Sequence, residues 1–205
     1  VDQLRAAPGA EIVFSALAGE PGVYVVGGAV RDALMGRAPR ELDLVVEGDA
    51  VAVAHRAAER IGGRLTVHDR FGTATVLADD FAFDLAGARR ETYSRPGALP
   101  DVVLGASIEE DLARRDFSIN AIAWGLDGRI VEWDDARADL RAGILRVLHD
   151  RSFADDPTRM LRLVRYAHRF GFEPDPDTAA LVDPALLAAV SGDRLGNELR
   201  LLVRE

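Results

Sequence analysis

Residues 23–48 read V-Y-V-V-G-G-A-V-R-D-A-L-M-G-R-A-P-R-E-L-D-L-V-V-E-G, and this stretch restricts the fold more than any other. A short β-rich run at 24–26 ends at Gly27-Gly28, where the missing side chains let backbone approach another group closely. Residues 30–35 have helical content, and Gly36 stands where a helix would stop. An Arg/Pro loop then leads into 41–46, which reads as a second strand. Alternation along that strand puts Glu41 and Asp43 on one face and sends Leu42 and Leu44 into a core. A strand, a diglycine turn, a helix and a strand with paired carboxylates outline a site for a nucleotide and a metal. The carboxylates taken alone read equally as the solvent face of a half-buried strand, and a lone diglycine is an ordinary turn. The pattern G-x-G-x-x-G is absent, which argues against a dinucleotide fold.

The rest of the chain sets outer limits on that reading. Its 205 residues allow one large domain or one domain with a smaller attachment, and 48% hydrophobic with 29% charged residues can build an ordinary core. No apolar run approaches the ~20 residues needed to span a bilayer, and the first ten residues lack the charged-then-apolar build of a signal peptide. Cysteine is absent, which excludes disulfides and thiolate metal sites. A cytoplasmic protein is therefore expected. The formal net charge of −9 argues against bulk attraction to nucleic acid but leaves room for a local basic surface. All 25 basic residues are Arg, a side chain suited to bidentate recognition of phosphates and base edges. A G+C-rich genome explains the same bias without function.

Taken in order, 2–17 reads as an amphipathic helical lead-in broken at Pro8-Gly9. Asp49 is an N-cap for an Ala-rich helix over 50–61 that Gly62-Gly63 closes. Strands are expected at 64–68 and 73–78 around a turn at 69–72, and again at 81–86 after a turn at 79–80. The Gly, Pro and Ser residues of 87–105 suggest a mobile surface loop carrying Arg89, Arg90, Glu91 and Tyr93. Short helices are expected at 107–113 and 116–123, with Asp127-Gly128 turning a hairpin between 122–126 and 129–133. Asp155-Asp156-Pro157 opens a helix that runs to about Phe170 and stops at Gly171. On it Leu161, Val164 and Phe170 are assigned to an inward stripe, and Arg162, Tyr166 and Arg169 to another face. Two more helices are expected near 177–189 and 193–203.

Glu41 and Asp43, with Asp84 on a neighbouring strand, could together hold two divalent cations. Hard oxygen ligands suit Mg²⁺, and two such ions support in-line displacement at phosphorus. Backbone N–H groups at a glycine turn before a helix cradle phosphates. Asp116 and Asn120, four residues apart, share a face if their segment is helical.

G-G-A-V-R-D at 27–32, E-L-D-L-V-V-E-G-D at 41–49, R-R-D-F-S-I-N-A-I-A at 114–123 and D-D-P-T-R-M-L-R-L-V-R-Y-A-H-R-F-G-F at 155–172 carry a resemblance. In this order they resemble the tRNA nucleotidyltransferase/poly(A) polymerase family, the bacterial class II branch of the DNA polymerase beta nucleotidyltransferase superfamily. D-R-L-G-N-E-L at 193–199 is similar to the closing neck motif of that family. The fold expected is α/β (α+β): a nucleotidyltransferase head over 1–148 with a mixed, largely antiparallel sheet flanked by helices. An all-α neck over 149–205 is expected to follow, with the family's body and tail regions absent from this sequence, as in a fragment or a short form that depends on a partner.

The resemblance implies roles for individual residues. Gly27 and Gly28 would hold the triphosphate with Arg31 as its charge partner, and Asp32 would brace the site. Glu41 and Asp43 would be the catalytic, Mg²⁺-binding pair that activates the 3′-hydroxyl of an RNA end, with Asp84 as a third carboxylate. The family pattern begins with Asp where this chain has Glu41. Arg114, Asp116 and Asn120 would contact the ribose and phosphates of the incoming nucleotide. Asp156 and Arg159 would read the Watson–Crick edge shared by cytosine and adenine, an amino donor beside a ring-nitrogen acceptor. Uracil and guanine place a carbonyl against the carboxylate and are rejected. Read from the residues alone, Asp156 and Arg159 are a helix cap with an ion pair. Arg162 would stack on or bond the base edge, and Arg165 and Arg169 would meet RNA phosphates, or else form a solvated basic face. The activity implied is transfer of CMP or AMP from CTP or ATP to the 3′ end of tRNA or a similar RNA. A poly(A) polymerase, an A-adding or CC-adding enzyme and a catalytically weak nucleotide- or RNA-binding module are the alternatives. The resemblance assigns no oligomeric state.

Overall fold

Four consecutive apolar or aromatic residues form strand β1 (Val23–Val26), and all four are buried. A strand covered on both faces belongs in the interior of a sheet, and in the computed structural model it lies there. The structure describes residues 2–68, 72–78 and 81–204. These fall into two units, the first built from Val1–Arg90, Val102–Ala113 and Asn120–Trp133, the second from Glu91–Asp101, Arg114–Ile119 and Asp134–Glu205.

In the first unit, helices α1 (Asp2–Arg5) and α2 (Ala10–Ala16) precede β1, helix α3 (Gly28–Leu34), strand β2 (Leu44–Val46) and helix α4 (Ala50–Ile61). Strands β3 (Arg64–His68), β4 (Thr73–Ala78) and β5 (Phe81–Gly87) follow. Next come β6 (Arg89–Thr92) and β7 (Asp101–Leu104), each of which falls partly in the second unit's segment Glu91–Asp101, then helix α5 (Ile108–Ala113) and the hairpin strands β8 (Ile122–Gly125) and β9 (Ile130–Glu132). Seven strands make one sheet in the order β3-β4-β5-β2-β1-β8-β9, while β6 and β7 pair separately. Only β2 and β5 run parallel; every other pair in the sheet is antiparallel. This is the mixed, largely antiparallel sheet expected.

Helix α4 covers one face of that sheet, burying Ala50, Val53, Ala54, Ala57 and Ala58. Four of those five are alanines, so the helix axis can sit close to the strands, and Asp49 caps its start by accepting the Ala52 N–H at 2.9 Å. Tyr24 at the other side of the sheet donates to Glu47 Oε2 at 3.2 Å, and Glu47 Oε1 accepts the Ile108 N–H at 2.7 Å. That bond satisfies an otherwise orphaned amide at the start of α5.

The second unit contains helix α6 (Ala136–Ala142), strand β10 (Ile144–Leu145), helix α7 (Ser152–Asp155), helix α8 (Thr158–Phe170), strand β11 (Glu173–Pro174), helix α9 (Pro176–Ala180), a 3₁₀ segment (Pro184–Ala189) and helix α10 (Gly192–Val203). Helices dominate, with one short parallel pair, β10–β11, that the sequence gives no sign of.

Several expectations are corrected. The second strand begins at Leu44, so Glu41 and Asp43 precede it. The segment expected as a helix over 116–123 is a single 3₁₀ turn (Ser118–Asn120) running into β8. Ile119, Ala121, Ile122 and Ala123 are all fully buried, and a short, wholly apolar run fits a central strand as well as a helix. The loop expected over 87–105 contains the ribbon strands β6 and β7. The helix near 177–189 is divided at Leu181–Asp183, because Pro184 cannot continue α9. On α8 two assignments change places: Val164 is 55% exposed and Tyr166 is buried along with Arg159, Met160, Leu163 and Arg165, whereas Arg169 is exposed as expected. The turns at 69–72 and 79–80 fall largely outside the described residues.

The bend at Gly27 has φ 64° and ψ −130°, a region that side-chain-bearing residues avoid. Gly27→Ala is expected to lower the unfolding free energy by about 1–3 kcal/mol. The change would be read as a lower urea midpoint at constant m; an unchanged midpoint refutes the assignment of strain.

Candidate functional site

Each unit gathers a cluster of the residues singled out above, and each is described for itself. In the first unit the backbone sets the geometry. The Val26 amide donates to the Asp43 carbonyl at 3.0 Å, and the Gly27 amide donates to the Ile122 carbonyl at 3.2 Å. The end of β1 is thus held on both sides just before the chain turns at Gly27 into α3. The first of those bonds fixes Asp43 level with the glycine turn.

Asp43 also lies one residue before Leu44, which is paired with Leu85 on the parallel strand β5. Asp84 is one residue before Leu85. Leu44 and Leu85 are buried while Asp43 and Asp84 are exposed, so the two carboxylates occupy the same level and the same face of neighbouring strands. Glu41 is exposed as well, with half-buried Leu42 between it and Asp43, so the expected alternation survives although the strand begins later. Asp84 accepts a hydrogen bond from Thr75 Oγ1 on β4, its cross-strand partner. Among the described residues no group of three His, Asp or Glu side chains is clustered tightly enough to hold an ion unaided. A few exposed carboxylates nevertheless fit Mg²⁺, which keeps water and takes phosphate oxygens as its remaining ligands.

Arg31 lies on α3 and is only 4% exposed. Its Nε and Nη2 both donate to Asp32 Oδ1, at 2.9 and 2.7 Å, and its Nη1 donates to Asn120 Oδ1 at 2.7 Å. A Cβ built on Gly28 would sit 3.4 Å from Arg31 Nη2, so the guanidinium lies directly against the second glycine. Asp32 therefore fixes Arg31, and Asn120 joins them from 89 positions along the chain. The helical face expected to join Asp116 to Asn120 does not form, because their segment is not helical.

The second unit holds the remaining arginines and acids. Asp116 is 7% exposed; its Oδ1 accepts the Phe117 amide at 2.8 Å, and its Oδ2 is 2.7 Å from Arg162 Nη2. Burial by itself would lower the pKa of Arg162, but the charge of Asp116, with help from Tyr166 and Glu198, raises it above the ordinary value. Arg162 Nη2 also donates to the Tyr166 hydroxyl at 3.1 Å. Arg165 is 9% exposed, 5.1 Å from the Tyr166 ring centroid and 3.8 Å from Glu198 Oε2. That burial takes it off the solvated basic face that was the alternative to an RNA-phosphate role. Arg169 is exposed and lies 5.0 Å from the Phe170 ring centroid.

Asp156 and Arg159 stand at the start of α8. Asp156 Oδ1 accepts from the Thr158 amide at 3.0 Å, Thr158 Oγ1 at 2.7 Å and Arg194 Nη2 at 2.8 Å. Arg159 is 5% exposed and donates from Nη1 to Ser152 Oγ and from Nη2 to the Arg114 carbonyl, both at 2.7 Å. Arg114 Nη1 in turn donates to Glu91 Oε1 at 2.9 Å, while Glu91 Oε2 accepts from Tyr93 at 3.0 Å. Ser152, Glu91, Tyr93 and Arg194 were given no site role by sequence reasoning. Arg194 alone carried a signal, since it lies in the D-R-L-G-N-E-L motif.

Residues 23–146 match the model of the poly A polymerase head domain. The chain is 46% identical to an A-adding tRNA nucleotidyltransferase of Halalkalibacterium halodurans, over 89% of this chain and 45% of that protein. It is 41% identical to a CC-adding tRNA nucleotidyltransferase of Deinococcus radiodurans, over 88% of this chain and 50% of that protein. A solved tRNA nucleotidyltransferase complexed with a primer tRNA and an incoming ATP analog superposes with a TM-score of 0.79. That match has 39% identity and covers 89% of this chain and 53% of the other. The chain thus spans about half the length of these relatives.

Burial pushes the Tyr93 hydroxyl up to about 12, reinforced by the Glu91 charge. Because the folded value is raised, its contribution to stability is complete below the free-tyrosine value of about 10 and is lost as pH rises toward about 12. Absorbance titration at alkaline pH is expected to show a late-ionising tyrosine component that Tyr93→Phe removes. Loss of an early component instead would contradict the half-buried placement.

Proposed function

This chain belongs to the poly A polymerase head-domain family, and on that premise we propose that it transfers CMP or AMP from CTP or ATP to the 3′ end of tRNA. The observation that carries this reading is the Val26–Asp43 backbone bond, which fixes Asp43 level with the glycine turn. The relatives that it resembles are named for A addition and CC addition to tRNA. We read 1–148 as the head and 149–205 as the neck. No described helix is long and apolar enough to cross a membrane, and we place the reaction in the cytoplasm.

The turn at Gly27 and Gly28 would hold the triphosphate, since it leaves no side chain between backbone and ligand; with the Gly27 amide spent on the Ile122 carbonyl, the amides that open α3 would meet the phosphates. Arg31, immobilised by Asp32 and Asn120, adds fixed positive potential beside them. Asp43 and Glu41, with Asp84 level on β5, would hold Mg²⁺. Bound there, the metal would make the 3′-hydroxyl of the RNA a better nucleophile and neutralise charge on the phosphates. Asp156 accepts from the amino group of cytosine or adenine, and Arg159 donates to the adjacent ring nitrogen. In uracil and guanine a carbonyl would oppose the carboxylate and leave both groups unpaired. Catalysis on this scheme is positioning plus charge neutralisation, with no side chain acting as a covalent nucleophile.

The test is primer extension with tRNA ending before, within or just short of CCA, Mg²⁺ and each labelled nucleotide in turn. CTP followed by ATP indicates CCA addition, CTP alone a CC-adding enzyme, and ATP alone an A-adding or tailing enzyme. Asp43→Ala is expected to cut incorporation by about 10²-fold or more while leaving the melting temperature near wild type. Chelation of divalent metal should abolish it. Nucleotide binding without any incorporation overturns the enzymatic reading.

A further inference from the structure

The open face of the sheet carries an acid that strand propensity does not favour. On the side away from α4 stand Arg64, Thr66 and His68 of β3, Thr73, Thr75 and Leu77 of β4, and Ala82, Asp84 and Ala86 of β5. Asp84 is the one acid among them. Aspartate is poorly suited to the middle of a strand, and the alanines on either side give it little to pack against.

What holds Asp84 is Thr75, its cross-strand partner, whose hydroxyl donates to Asp84 Oδ1. A threonine has one hydroxyl proton, so that proton is committed. Thr75 Oγ1 also lies 3.5 Å from Nε2 of His68, a diagonal neighbour on β3. Only a ring N–H suits that contact, and its length makes it the weaker of the two. Strand pairing alone would be served by a threonine facing a threonine, as Thr75 faces Thr66 on its other side.

The bond acquires a use from where Asp84 stands. It is level with Asp43 and on the same exposed face, and neighbouring strands lie only about 4.8 Å apart. An exposed carboxylate samples several rotamers and has to be ordered when it takes a ligand. With Oδ1 held, the plane of Asp84 is set in advance and its second oxygen is the one left to ligate. Such preordering counts for more beside Glu41, which is also exposed and has one more rotatable bond to fix than an aspartate.

We propose that Thr75 is a positioning residue for the metal site, its hydroxyl holding Asp84 in the rotamer that ligates a divalent cation beside Asp43. The inference rests on the metal-binding role given above to Asp43 and Asp84. Without the hydroxyl, Asp84 keeps its charge and its place on β5 but loses its orientation. A divalent cation is then held more weakly while the fold is unaltered.

The experiment titrates Mn²⁺, a paramagnetic substitute for Mg²⁺, into the 205-residue chain without nucleotide or RNA and reads the free ion by electron paramagnetic resonance. Thr75→Val keeps the outline of the side chain and suits a strand. It should weaken Mn²⁺ binding about tenfold with a melting temperature near wild type. Thr75→Ser restores the hydroxyl and should bind within about twofold of wild type, and Thr75→Ala must behave as valine does if the valine variant fails to fold. In primer extension the Mg²⁺ concentration giving half the maximal rate should rise in Thr75→Val by a similar factor, which a purely structural role would leave in place. Mn²⁺ binding that survives Asp84→Ala, or that is unchanged in folded Thr75→Val, overturns this inference alone. Wild-type protein that takes up no Mn²⁺, or whose binding survives Asp43→Ala, overturns the metal site proposed above and this inference with it.

Discussion

A guanidinium taken out of water needs an acceptor for nearly every N–H it buries, and this requirement ties distant parts of the chain together twice. Arg31, 4% exposed, fastens α3 to Asn120 at the mouth of β8. Arg159, 5% exposed, fastens α8 to Ser152 on α7 and to the carbonyl of Arg114. Asn120, Ser152 and the Arg114 carbonyl all come from segments outside the arginine's own helix. Losing one acceptor leaves a buried cation underserved, a penalty larger than the gain from a typical exposed pair. These side chains therefore fix local geometry more tightly than aliphatic packing alone would.

Much of the first unit could be read from the sequence, because its signals are local. The Asp49 cap, the alanine face of α4, the alternation in β4 and the Asp127-Gly128 hairpin each obey short-range rules that tertiary structure had no cause to override. The misreadings occur where local pattern is silent about what lies opposite. Residues 116–123 are apolar enough for either a helix or a strand, and pairing with β1 decides in favour of a strand. On α8 the local pattern does not reveal that Asp116 and Glu198, distant in sequence, join Tyr166 of the helix itself as partners that draw Arg162 and Arg165 inward. The 87–105 stretch had loop composition, and the ribbon strands inside it follow from contacts that composition does not encode.

On the function proposed above, the two clusters would meet the ligand by different means. Around Gly27 the groups would be backbone, specified only through the two residues that keep side chains out. Around Asp156 they would be side chains on a helix start, open to replacement and to adjustment by neighbours. A scaffold of this kind can retain its phosphate-facing parts while its base-facing parts diverge. Relatives of this chain that are named for A addition and for CC addition at similar overall identity fit that division.

The placement of β1 between β2 and β8 has a consequence for biosynthesis. Val25 faces Leu44 on one side and Trp124 on the other, so the glycine turn gains its second flank only after the ribosome has delivered the chain past β8. Until then a fully apolar strand lies with one hydrogen-bonding edge open to any other chain nearby. During translation the nascent protein would be at its stickiest in the interval between these two strands, and a holdase would have most to protect there.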